Sequence, residues 1–454
     1  MPQTRRLGLL HRGISVGLVG LLTIFLSVFI SGPEPKICTL FAGFCLLAGG
    51  PRLLTPAIWP LLAIIAYDLC LTLIVPGPRP ELGVVFQHPI FQADCVLLSA
   101  LALGGQSVRR QHVLILSILA ISLFGVIGDL TGHEMIYLIP LQNPDNDAFY
   151  QVTLLSGEFT RVRAFFAESG VLGAVTLGFA TIQILGALVL IRVRACVRFA
   201  WVALAGASFM GGVIFCLTIT KSGLFMVAAG CLGFVAILFA SRNPRCRAMG
   251  VAALVFLVIS GGAFLVAGPA TLTTYLQDEI AVVMHPDAVS ASAAADSNGL
   301  VTRKKCWLLA ATSIRHYPLG VGKYGLGPTI REVGEMGLTS ELRRVFSQDI
   351  FGLKNALANL IAECGVVGLG LLFYWLWIAF LRPIRRYLRD GSGRGALIAG
   401  VYGASAVSCV IFLFCCDLYP VWAFLAVLKF HADAIAQACE RQMEAGVENV
   451  ELIG

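Results

Sequence analysis

Chemistry in this chain is expected at charged residues that stand beside or inside long apolar runs. Arg161 and Arg163 precede one such run. Arg303, Lys304, Lys305, Arg315 and Lys323 fall in a long polar stretch between two others. Cations held near a bilayer suit an anionic partner, and guanidinium forks suit phosphate oxygens above all. Pairing with the acidic residues of the same loop explains them about as well. Asp68, Asp94, Glu168, Lys221 and Glu363 lie in or at the ends of the apolar runs. A charge there is costly and faces a cavity or a partner. Asp68 and Asp94 read better as structural ties than as reactive groups, whereas Glu168 and Glu363 are placed to join a site near the outer loops.

His316, in Arg315-His-Tyr-Pro-Leu-Gly320, is a candidate general base because its proton exchanges near neutral pH. A solvated loop histidine is the plainer reading. Asp145-Asn-Asp147 has the spacing of a metal-binding acidic pair, but a turn in Asn143-Pro-Asp-Asn-Asp147 accounts for it equally well. No metal or other cofactor is expected.

These residues must be positioned by membrane helices. Of 454 residues, 57% are hydrophobic and only 13% charged, about half the ionic content of a soluble protein. The net charge of +7 is concentrated in short clusters between apolar runs, which argues for topology signals and against nucleic acid. Most of the 14 cysteines lie inside apolar runs, and no CxxC pair occurs. They read as small hydrophobes.

A crossing helix needs about 20 apolar residues. The runs predict an all-α bundle with twelve spans, at 13–31, 36–50, 53–75, 83–105, 113–130, 166–191, 199–220, 223–240, 248–268, 355–381, 395–416 and 419–435. The second and last are weakest, being short or interrupted by charge. With the N-terminus inside, Arg109/Arg110, Arg192/Arg194/Arg198, Arg242/Arg245/Arg247 and Arg382/Arg385/Arg386/Arg389 all fall on the cytoplasmic side. Both termini are then cytoplasmic, with 436–454 as a tail. Segments 131–165 and 269–354 lie outside, the latter being a large loop between spans nine and ten. Within it, a surface-lying helix is expected from about Thr302 to Ile314, with Trp307, Leu308 and Leu309 toward lipid.

Three segments carry a family likeness. They are Arg161-Val-Arg-Ala-Phe-Phe-Ala-Glu-Ser-Gly170, Thr218-Ile-Thr-Lys-Ser-Gly-Leu224, and Tyr317-Pro-Leu-Gly-Val-Gly322 with Asn355 and Glu363-Cys-Gly-Val-Val-Gly368. In order and placement they resemble the O-antigen ligase and polymerase superfamily of membrane proteins. The resemblance covers about 160–380. It implies transfer of glycan from a polyprenyl-pyrophosphate carrier on the outer face of the bacterial inner membrane, by an inverting, metal-independent route. Arg161, Arg163, Arg303 and Arg315, with Lys221, Glu168 and Asn355, would bind substrate, while His316, Glu363 or Lys354 would handle the proton. A flippase and a chain-length regulator of the same pathway are the protein partners this implies.

Two departures bear on the reaction. Lys354-Asn355 stands where the family's ligases carry His-Asn, and Lys221 replaces the family's turn arginine. Both favour an exopolysaccharide or O-unit polymerase over a ligase acting on lipid A core. The rival readings are a transporter or flippase and a non-catalytic subunit of an export system. Transporters tend to show matched halves around a midplane site, and the halves of this chain do not match.

Overall fold

The computed structural model describes residues 55–75, 82–131, 151–154, 157–160, 169–218, 220–267, 299–323, 355–416 and 421–451. Its helices are α1 Trp59–Ile74, α2 Leu82–Leu103, α3 Val108–Leu130, α4 Ser169–Val193, α5 Val197–Thr218, α6 Lys221–Ala240, α7 Pro244–Ala267, α8 Gly299–His316, α9 Ala356–Leu376, α10 Arg382–Arg389, α11 Gly393–Cys415 and α12 Val421–Glu451. A π-helical turn, Trp377–Leu381, joins α9 to α10. Among the described residues seven helices are long and apolar enough to cross a membrane. Each expected span from 53–75 onward overlaps a helix, but those at 53–75, 83–105 and 248–268 are not among the seven. The expected spans 13–31 and 36–50 lie outside the described residues.

The bundle is centred on α4, α11 and α12, whose apolar windows are the most deeply buried. Phe424 of α12 stacks on Phe412 of α11 at 3.9 Å and leans on Phe179 of α4 at 4.8 Å between ring centroids. Lipid offers apolar contacts as good as another helix does, so association depends on close approach through small residues. At the α6–α11 crossing, a Cβ on Gly233 would stand 2.7 Å from the Gly403 carbonyl oxygen. Gly233→Val should therefore lower stability by about 1–3 kcal/mol through overpacking. Gly212→Ala, where no atom lies within 4 Å, should not. Melting temperatures of the two purified variants would check this.

Charge in α12 interrupts its apolar run without ending the helix. Lys429 bonds Asp433 one turn on, and the Tyr402 hydroxyl donates to the same carboxylate oxygen at 2.6 Å. The helix continues to Glu451, so much of the expected tail at 436–454 is helical.

The basic clusters gather at one end of the bundle. The Cys246 thiol donates to the Gly393 carbonyl at 3.6 Å, tying the first turn of α7 to the start of α11. Arg386 meets Glu440 at 3.5 Å, tying α10 to α12. The opposite end carries α8 and the turn that follows it.

One expectation about the long segments changes, and one element is added. Residues 131–165 include a small antiparallel hairpin, Gln151–Leu154 with Gly157–Thr160, while the other elements among the described residues are helical. Helix α8 does not present Leu309 to lipid. Cys306, Leu309 and Ala310 form a buried stripe at helical spacing, packed on Ala358 and Ala362 of α9. Trp307 lies against Phe414 of α11 at 4.9 Å between centroids. That stripe makes α8 part of the bundle, at the end opposite the basic clusters.

Candidate functional site

Helix α9 opens on Asn355, whose side-chain oxygen accepts from the backbone N–H groups of Leu357 and Ala358, both at 3.0 Å. Its amide nitrogen donates to the Phe414 carbonyl at 2.9 Å. An asparagine before an apolar run is a strong N-cap. Asn355 is fully buried, and both ends of its amide are committed to the fold.

Nearly three turns further on, Gly365 takes φ 58° and ψ −147° and breaks the helix. The break frees backbone groups beyond Ala362, and the Tyr317–Lys323 turn occupies them. Val321 N–H donates to Ala362 at 3.3 Å, Gly322 N–H to Glu363 at 2.9 Å, and Val366 N–H to Pro318 at 2.9 Å. A Cβ on Gly365 would fall 2.1 Å from the Pro318 oxygen. Glycine is needed there both for its left-handed φ and for the approach.

Helix α1 closes the other side. The Tyr67 hydroxyl donates to the Leu319 carbonyl at 3.0 Å, and Lys323 N–H donates to Thr72 Oγ1 at 3.1 Å. Gly322 sits so close that a Cβ there would be 2.6 Å from the Thr72 backbone nitrogen. The Tyr317–Lys323 segment thus reaches into the bundle as far as the second turn of α9.

This docking gathers Asp68 of α1, Lys323 of the turn and Glu363 of α9, whose charges act directly on one another. Asp68 is buried, and its Oδ1 has no hydrogen-bond partner among the described residues. Loss of water draws the Lys323 ammonium below its ordinary range, against the pull of the Glu363 and Asp68 carboxylates. One cation faces two carboxylates. The cluster can therefore take up a proton, or a hydrogen-bond donor from substrate, without importing a second counter-charge.

The other expected site residues are distributed differently. Arg315 and His316 end α8 and are exposed, in the segment that leads into the turn. Arg303 falls within α8 and Lys221 opens α6, but their side chains lie outside the described residues. Arg161, Arg163, Glu168 and Lys354, and the Asp145–Asp147 pair, also lie outside them. Asp94 is buried in α2. In the sequence Lys323 is one cation among several in the 269–354 segment, and Asp68 reads as a structural tie. Tyr67 and Thr72 carry no sequence signal beyond being polar in an apolar run.

Among the described residues no group of three or more His, Cys, Asp or Glu side chains has metal-binding geometry. No protein-family model matches the chain, and no curated protein matches it significantly.

Proposed function

We propose that this chain is a multi-pass membrane glycosyltransferase. It would polymerise, or ligate, repeat units carried on polyprenyl pyrophosphate at the outer face of the bacterial inner membrane. The observation that carries the reading is the docking of Tyr317–Lys323 onto the kink at Glu363–Gly365. Two family-like segments about 40 residues apart thereby enclose one charged site.

In this reading Glu363 accepts the proton from the acceptor hydroxyl as that oxygen attacks the anomeric carbon. The glycosyl–phosphate bond breaks, and the polyprenyl diphosphate leaves with its electrons. Lys323 orients Glu363 and offers positive charge toward the leaving group. Arg161, Arg163 and Arg303 bind the diphosphate from the outer loops, where a bidentate fork is the advantage of arginine. Asp68 sets the position and charge of Lys323. His316 is too exposed to be the preferred base.

Purified protein in liposomes, supplied with polyprenyl-diphosphate-linked repeat units, should produce a ladder of longer glycans. Movement of the carrier across the bilayer with no elongation would support the transporter instead.

The orientation rests on the basic end being cytoplasmic. A single cysteine at Ser292, with native thiols replaced, should react with a membrane-impermeant maleimide added to intact spheroplasts. Labelling only after permeabilisation would invert the topology and place the site on the wrong face.

A further inference from the structure

A cavity of about 290 Å³ opens near the basic end of the bundle, far from the Glu363 site. Thr55, Gln106, Gln111, Ile378, Lys429 and Asp433 line it, drawn from the segment before α1, the α2–α3 turn, α3, the π turn and α12. Interrupting a helix with a π turn is rare, and such turns concentrate at functional sites. Here the π turn supplies Ile378 to the wall.

The polar groups of the wall are unevenly paired. Thr55 Oγ1 and Gln111 Oε1 are buried without a hydrogen-bond partner among the described residues. The Gln111 amide is anchored through nitrogen, which donates to the Leu103 carbonyl at 3.0 Å, so the oxygen is the end left over. Gln106 is the reverse. Its oxygen accepts from Arg110 at 2.8 Å, leaving the amide N–H groups. Asp433 Oδ1 takes both Lys429 and Tyr402, so its second carboxylate oxygen lies beyond those bonds. Lys429 has protons beyond the one given to Asp433.

One cation and one anion leave the cavity close to neutral, which disfavours a simple anion or metal cation. Gln111 and Thr55 call for hydrogen-bond donors, and Asp433 favours donors that carry positive charge. Lys429 and Gln106 suit an anion next to it. We infer that this cavity binds a primary-ammonium phosphate zwitterion, the chemistry of a phosphoethanolamine headgroup. Exposed Arg109 and Arg110 beside the α2–α3 turn fit a location at a lipid boundary. The inference does not depend on glycosyl transfer.

The test uses delipidated, purified full-length protein and native mass spectrometry. Equal amounts of phosphatidylethanolamine, phosphatidylcholine and phosphatidylglycerol are offered together. Phosphatidylethanolamine should be retained at least tenfold over both others. Phosphatidylcholine has no ammonium N–H, and phosphatidylglycerol has no cation. Thr55→Val and Gln111→Leu should each remove most of that preference. Gln106→Ala, on the turn, repeats the test should either core variant fail to fold. Soluble O-phosphoethanolamine is the second arm. If it raises the melting temperature by several degrees while the lipids show no preference, the zwitterion comes from the soluble pool. Equal retention of the three lipids with no thermal shift would overturn the inference, as would a preference unchanged in all three variants.

Discussion

Glu363→Gln should slow glycan elongation by at least about 100-fold, the usual scale for losing a general base, while leaving the protein folded. Glutamine keeps the length and one acceptor oxygen of glutamate but cannot take a proton. The turn above it is held by backbone groups, through Gly322 to Glu363 and Val321 to Ala362, so its docking does not need the carboxylate. The loss should therefore appear in kcat, with the apparent affinity for lipid-linked donor little changed. His316→Ala is the comparison, because His316 is exposed at the end of α8 and should elongate near the wild-type rate. If His316→Ala stops elongation and Glu363→Gln does not, the base is the histidine. If only Lys354→Ala stops it, the lysine before the α9 cap has taken the role.

The case against Glu363 on sequence grounds is depth. It lies about 12 Å beyond Asn355 at 1.5 Å per residue along a helix, too far down for a residue serving an outer loop. The structure removes that objection by bringing the loop down to it. Gly365 interrupts α9, and the freed carbonyls of Ala362 and Glu363 become the docking points for Val321 and Gly322. A glycine inside an apolar helix has many uses in membrane proteins, close packing among them, so the break could not be read from Glu363-Cys-Gly alone. Helix positions were far more legible, because an apolar run of span length has few other fates. Asp68 shows the limit. Its partner Lys323 is distant in the chain, and no local pattern links a carboxylate in one helix to a loop lysine. Asn355 is legible in another way, because asparagine before an apolar run signals the helix cap it forms at α9. The hairpin at 151–160 was missed although Val152 and Phe159 pair across it, since the segment is short and set among turn residues.

Lys323→Met should be among the most damaging single changes at the site, and its rescue distinguishes charge balance from catalysis. Methionine preserves much of the apolar stem but leaves Asp68 and Glu363 facing each other without a cation. Removing one partner of a buried ion pair costs roughly 3–5 kcal/mol in general. Lys323 is only partly buried, so the lower end of that range, about 3 kcal/mol, is expected. Much of the folded yield from membranes should be lost, and elongation with it. Asp68→Asn in the same chain lowers the uncompensated charge. It should restore most of the melting temperature, because the carboxamide fits the same space and can donate where the carboxylate could only accept. Elongation should stay low in the double variant, since the cation beside Glu363 is still missing. Full recovery of both fold and elongation would mean that Lys323 serves only to neutralise Asp68. No recovery of the fold would mean that Asp68 and Lys323 do not share one electrostatic balance, and the three-residue site would have to be abandoned.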